Sequence, residues 1–172
     1  FHPERWTLAY SEHLLPQAVF AAPVLWAGGS PVLAHNLALM IGMALTGWAM
    51  CWVVSRWTGS LAAGLVAGAL AAFNAHSLTR MSHIQAQHVQ YLPLALVALD
   101  RLLDQPRLRH ALHTAVWFVL QAMTSGYFLV FSAVAVAAGT AVRPDAWLGR
   151  QARRLLPYAA VAALAATLLL LP

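Results

Sequence analysis

The 172-residue sequence predicts an all-α membrane protein, a polytopic bundle of transmembrane helices, and three observations carry that expectation. Hydrophobic residues make up 61% of the chain and charged residues only 9%, against roughly 25% in a water-soluble domain. The mean hydropathy is +0.68, leaving too little polar side chain to cover a surface facing water. The charges that exist fall between long uncharged runs, where loops between crossings would place them.

Two units are expected. Residues 1–30 form a loop outside the cytoplasm, in which Leu14 to Ala27 is apolar but too short to span. Pro16 and Pro23 interrupt that run, so it reads as an interfacial or re-entrant helix. Residues 31–172 form the transmembrane unit, with about six crossings. Pro31 to Ser55 is uncharged over 25 residues, more than the roughly 20 needed to cross a hydrocarbon core. Trp57 to Phe73 is rich in alanine and glycine, and Gly59, Gly64 and Gly68 have the spacing of closely packed helices. A polar stretch, Asn74 to Gln90, precedes the short apolar run Tyr91 to Leu99. The helix carrying that run is expected to start inside the polar stretch, with Gln85, Gln87, His88 and Gln90 bordering a wet cavity rather than lipid.

Ala111 to Val142 is too long for one crossing, and Thr124-Ser125-Gly126 marks a natural break. Reading two spans here puts eight of the ten arginines (Arg56, Arg101, Arg107, Arg109, Arg143, Arg150, Arg153 and Arg154) on one side. Only Arg5 and Arg80 remain on the other. Positively charged loops face the cytoplasm, so the two-span reading is preferred and residues 1–30 and 74–90 are extracytoplasmic. A last span runs from Leu155 to Leu171. Trp6, Trp26, Trp57 and Trp147 fall at expected interfaces. The chain begins at Phe1 without an initiator Met or a signal pattern and ends at Pro172, straight after a leucine run, so a fragment of a longer chain is expected.

Function classes narrow in the same way. The net charge of +5 and a pI near 10.4 would suggest nucleic acid in a soluble protein, but here topology and anionic lipid headgroups explain the arginines. The lone Cys51 has no disulfide or metal-binding partner and reads as a small packing residue. No phosphate-cradling glycine loop, nucleophile elbow or zinc-protease helix occurs. His110 and His113 follow basic residues and read as interfacial side chains.

The outer side holds Glu4, Arg5, Glu12 and Arg80 as its charges, beside several histidines and amides. Glu12 could simply favour the start of the following helix through its dipole, or serve as a general base that deprotonates an acceptor hydroxyl. Arg80 could snorkel or pair with a carboxylate, or clamp a phosphate in its guanidinium fork, with His83 and Gln85 adding hydrogen bonds. His76, His83 and His88 lack the spacing of a metal-binding helix, so no metal is assigned. Glu4 or Glu12 would have to complete such a site.

The runs Tyr10-Ser11-Glu12-His13-Leu14-Leu15, Ser30-Pro31-Val32-Leu33-Ala34-His35-Asn36, Arg80-Met81-Ser82-His83-Ile84-Gln85, Tyr91-Leu92-Pro93-Leu94-Ala95-Leu96 and Leu120-Gln121-Ala122-Met123-Thr124-Ser125-Gly126-Tyr127 resemble a bacterial group of multi-span membrane proteins. That group is similar to the C-type (GT-C) glycosyltransferases, which include arabinose and mannose transferases using polyprenyl-phosphate sugars. The resemblance implies inverting transfer of a sugar from a lipid-phosphate donor on the outer face of the bacterial inner membrane, metal-independent or metal-assisted. It implies an acidic catalytic base in the first outer loop, which Glu12 matches; on the reading of the outer polar residues, Arg80, His83 and Gln85 would then hold the donor phosphate. The first transmembrane helix of such enzymes, and the aspartate of their first loop, are missing from this sequence, so Glu4 or Glu12 would be a second acid and the fragment inactive alone. Two other classes compete: a transporter or flippase, suggested by the break at Thr124-Ser125-Gly126, and a non-catalytic membrane assembly protein.

Overall fold

The computed structural model describes residue 12 and residues 14–148 and 150–170. His2, Glu4, Arg5, Trp6 and His13 therefore lie outside the described residues. Everything described is helix or connecting turn: α1 (Leu15–Trp26), α2 (Pro31–Thr58), α3 (Leu61–Ala72), α4 (Ala75–Thr79), a 3-10 turn (Ile84–Gln87), α5 (Tyr91–Asp104), α6 (Leu108–Ala122), α7 (Gly126–Ala141), α8 (Pro144–Trp147) and α9 (Arg150–Leu170).

Three stretches are long and apolar enough to cross a membrane: Pro31–Thr58, Leu61–Thr79 taking α3 and α4 together, and Gln151–Leu170. The expected crossings carried by α5, α6 and α7 are helices of 14, 15 and 16 residues. At 1.5 Å per residue these reach about 21–24 Å, less than a hydrocarbon core of about 30 Å.

Large apolar side chains point outward along the helices. Leu65, Val66, Leu70, Val130, Val134, Leu164 and Leu168 are all about 60% exposed. The interior instead holds alanine, glycine and hydrogen-bonded polar groups, together with a leucine cluster of Leu99, Leu102, Leu103 and Leu155 around Ala111 and Ala146. Small residues inside and large ones outside suit helices that pack by close approach in a lipid solvent. A water-soluble monomer does not expose so much contiguous apolar surface.

Glycines decide the tightest contact. A Cβ on Gly68 would stand 2.5 Å from the Gly47 carbonyl oxygen, and one on Gly64 would collide with Ser55. The expected glycine packing thus holds for Gly64 and Gly68. Gly59 does something else: at φ 69° in the left-handed region it closes α2 and turns the chain into α3. Cys51 packs against Gly68 across the same seam.

Two expectations need correction. The helix expected to start within the polar stretch begins at Tyr91, after that stretch, and gains its length at the other end, running through Asp100 to Asp104. The reason is local. Asn74 caps α4, accepting from the Ser77 N–H at 2.9 Å while donating to the Ala71 carbonyl at 2.8 Å, so the chain breaks helix there. Residues 80–90 then form short local turns, with a 3-10 turn at Ile84–Gln87, and are tied to other segments through Val89 N–H and the Gln87 and Gln90 side chains. Likewise Gln87, His88 and Gln90 do not border a wet cavity but are at most 2% exposed within the protein.

The break expected at Thr124-Ser125-Gly126 separates α6 from α7. It turns the chain back, so that Arg143 beyond α7 meets Asp100 at 2.7 Å and Asp104 at 2.6 Å on the last turns of α5. Gln151 donates to the Leu103 carbonyl at 2.8 Å, bringing the start of α9 to the same end. Trp26, Trp57 and Trp147 project from the surface, at 85%, 59% and 42% exposure.

Candidate functional site

A cleft of about 450 Å³ opens between the α4-to-3-10 segment and the start of α7. His76, Arg80, His83 and Gln85 line one wall; Ser125, Tyr127, Phe128 and Phe131 line the other. Each wall follows from local sequence. Arg80 ends α4, so its side chain leaves the short helix where the backbone turns away. Ser125 is the N-cap of α7, its hydroxyl accepting the Tyr127 N–H at 3.3 Å. Tyr127, Phe128 and Phe131 then share the first turns of α7, and the two phenylalanines meet edge to face at 6.4 Å.

Glu12 joins this wall from far away in sequence. The Ser125 hydroxyl donates to Glu12 Oε1 at 2.5 Å, placing a carboxylate at the positive end of the α7 dipole. Glu12 makes no capping hydrogen bond to the following helix, and Ser11 lies outside the described residues. The residue before α1 is Leu14, in the left-handed region at φ 49°, and among the described residues no side chain caps that helix. Of the four residues singled out from the sequence, Arg80, His83 and Gln85 line the cleft, while Glu12 is not a lining residue and reaches it only through its bond to Ser125 in the wall.

Behind the cleft lies a buried polar scaffold that holds its parts in register. His88 donates through Nε2 to the Ala38 carbonyl of α2 at 3.0 Å and accepts at Nδ1 from the Gln90 amide at 3.2 Å, which sets a neutral tautomer with the proton on Nε2. Its ring stacks on Phe20 of α1 at 5.6 Å and lies against Gly42, where an added Cβ would come within 2.6 Å of ring atoms. Gln121 of α6 bonds both ways, donating to the His88 carbonyl at 3.0 Å and accepting the Leu92 N–H at 2.9 Å. Thr46 accepts the Val89 N–H at 3.1 Å and donates to the Gln87 carbonyl at 2.9 Å. Gln87 reaches back to the Ser77 carbonyl at 2.9 Å, beside Arg80. Gln17 of α1 donates to the Thr124 carbonyl at 3.3 Å, bringing the segment that carries Glu12 to the α6–α7 turn. Most of these groups pair inside the protein, as the cost of an unpaired polar group at membrane depth demands. Among the described residues, however, the side-chain oxygens of Gln17 and Gln87 are buried without a hydrogen-bond partner.

Sequence reasoning did not single out Gln121, Thr46 or Gln17, which look like isolated polar residues in apolar helices. A polar side chain inside a membrane helix is itself such a signal, since it needs a partner there. Phe128 and Phe131 carried none.

Among the described residues no three His, Cys, Asp or Glu side chains gather as a metal would require. His76 and His83 face the cleft, and Glu4 lies outside the described residues. His110 is not an interfacial side chain: it is buried, donates through Nδ1 to the Gln105 carbonyl at 2.7 Å and accepts from Arg109 Nε at 3.2 Å, stapling the α5–α6 turn. No protein-family model, curated protein or solved structure matches the chain.

Proposed function

We propose that this chain belongs to a membrane glycosyltransferase that moves a sugar from a polyprenyl-phosphate donor to an acceptor hydroxyl on the extracytoplasmic face of a bacterial plasma membrane. What supports the reading is one juxtaposition: a carboxylate, Glu12, bonded into the wall of a cleft whose opposite wall carries Arg80, His83 and Gln85.

The chemistry divides between the two walls. Glu12 takes the proton of the acceptor hydroxyl as that oxygen forms its bond to the anomeric carbon. The bond from the anomeric carbon to the donor phosphate breaks, and the phosphate leaves with the electron pair. Arg80 offsets the charge that develops on the leaving phosphate, with His83 and Gln85 completing its hydrogen bonds. Attack opposite the leaving group inverts the anomeric centre. Tyr127, 74% exposed at the rim, offers a flat apolar face to a sugar ring or the first isoprene unit.

The experiment is native mass spectrometry of the intact protein in mild detergent with added polyprenyl phosphate, followed by transfer assays. Arg80→Ala is expected to weaken lipid binding about tenfold or more. Glu12→Gln should retain the lipid while transfer falls by roughly 10²- to 10⁴-fold. No polyprenyl phosphate bound at any concentration would overturn the reading and leave a transporter or an assembly protein.

A further inference from the structure

A second polar cavity, of about 380 Å³, lies at the other end of α5. Arg56 from the last turn of α2, Arg101 from α5 and Arg109 from the start of α6 converge on it, with His113 alongside. The one acid in its wall, Asp104, is already engaged by Arg143 at 2.6 Å. Among the described residues Arg56, Arg101 and Arg109 enter no ion pair. Three guanidinium groups therefore face one cavity with little to neutralise them.

An apolar trough adjoins it. About 270 Å³ in volume, it runs between α2, α5 and α6 and is lined by Trp48, Trp52, Leu94, Val97 and Trp117. Arg101 and His113 line both spaces, so the arginine cavity and the trough adjoin across these two side chains. Trp52 ties them further, since the Arg56 guanidinium lies over its ring at 5.4 Å. Topology alone accounts for arginines at this end of the bundle. It does not account for their convergence on a cavity that adjoins an aromatic-walled trough.

We propose that this compound site binds an anionic phospholipid, its phosphodiester held among Arg56, Arg101 and Arg109 and one acyl chain lying in the trough against Trp52 and Trp117. Guanidinium forks match phosphate oxygens, and the trough supplies the apolar half of the ligand. A zwitterionic lipid brings its own cation into the same cavity and is disfavoured there. The site is independent of the cleft at Glu12 and stands whether or not that cleft transfers a sugar.

The test places the protein in phosphatidylcholine vesicles containing phosphatidylglycerol or phosphatidylcholine with a brominated acyl chain. Bromine quenches tryptophan fluorescence on contact, so in a background with Trp6, Trp26, Trp57 and Trp147 replaced by phenylalanine, Trp48, Trp52 and Trp117 report a chain in the trough. At equal mole fraction the brominated phosphatidylglycerol should quench more strongly, and Arg101→Ala should reduce that preference about fivefold. Arg56→Ala, at an exposed position, should do the same where Arg101→Ala disturbs insertion. Arg153 and Arg154, exposed at the same end but outside the cavity, serve as the control. Equal quenching by the two lipids would overturn the proposal. So would an equal loss from Arg153→Ala/Arg154→Ala, which would mean diffuse surface attraction, or full loss of the preference in millimolar inorganic phosphate, which would mean a free-anion site.

Discussion

Ser125 serves two partners with one hydroxyl: it accepts the Tyr127 N–H at 3.3 Å as the cap of α7 and donates to Glu12 at 2.5 Å. The fold therefore couples the start of a helix to the placement of the candidate base. A cap that also grips a carboxylate orients it more tightly than packing on a loop would, because the hydroxyl is itself fixed by the helix it begins.

These two roles separate by substitution. Ser125→Ala loses both, and sugar transfer should fall roughly 10- to 100-fold, the kinetic equivalent of a hydrogen bond to a charged group. Ser125→Thr keeps both and should restore activity. Ser125→Asp keeps a good cap but sets a second carboxylate against Glu12. It should therefore transfer as poorly as the alanine variant and, with two carboxylates opposed at a buried position, melt below the wild type at neutral pH. If the aspartate variant transfers normally, the Ser125–Glu12 bond has no role in positioning.

Gly42 and His88 form a second testable pair, since the ring occupies the space a side chain at 42 would need. Gly42→Ala is expected to destabilise the protein by about 1–3 kcal/mol through overpacking. His88→Ala should also destabilise, by leaving Gln90 and the Phe20 face without their partner. The double variant should be less damaged than the two losses added together, because the clash disappears with the ring. Thermal unfolding of all four proteins in one detergent gives the coupling. Simple additivity would mean that the ring does not sit against Gly42.

The Arg143 cluster sets a pH dependence at the opposite end. Hydrogen bonds from Arg143 hold the Asp145 carboxyl below its ordinary range, and Asp104 and Asp145 raise the guanidinium above its own. A carboxyl lowered on folding adds stability that is full above its unfolded pKa. That stability is lost as the pH falls through the lower, folded value. The arginine stays charged throughout. Melting of the wild type should therefore exceed that of Arg143→Ala at neutral pH, with the two converging in acid, and high salt should narrow the gap because these groups are largely exposed. A gap that persists below the carboxylate range would assign the effect to packing of the arginine stem.

Much of this molecule is readable along the chain. Composition alone pointed to lipid, since 9% charge is too little to clothe a water-facing surface, and three helices are long and apolar enough to cross a membrane. The helix break at Thr124-Ser125-Gly126 was visible because serine and glycine there offer a cap and a flexible start. The spacing of Gly64 and Gly68 announced a close helix contact for the same kind of local reason. Glu12, Arg80, His83 and Gln85 stood out because charged and amide groups are rare in such a chain. What only the tertiary structure decided is which polar groups meet. Gln85 faces the cleft while Gln87, two residues on, is buried, and no pattern of spacing distinguishes them, since both lie in a turn whose course is set by bonds to α2, α4 and α6. Glu12 meets Ser125 across 113 positions because α1 and the α6–α7 turn are drawn together by Gln17 and Thr124. Periodicity reports how one segment meets a solvent, lipid or water. The partner of a buried amide or carboxylate is another segment, and its identity follows only from how all the segments pack.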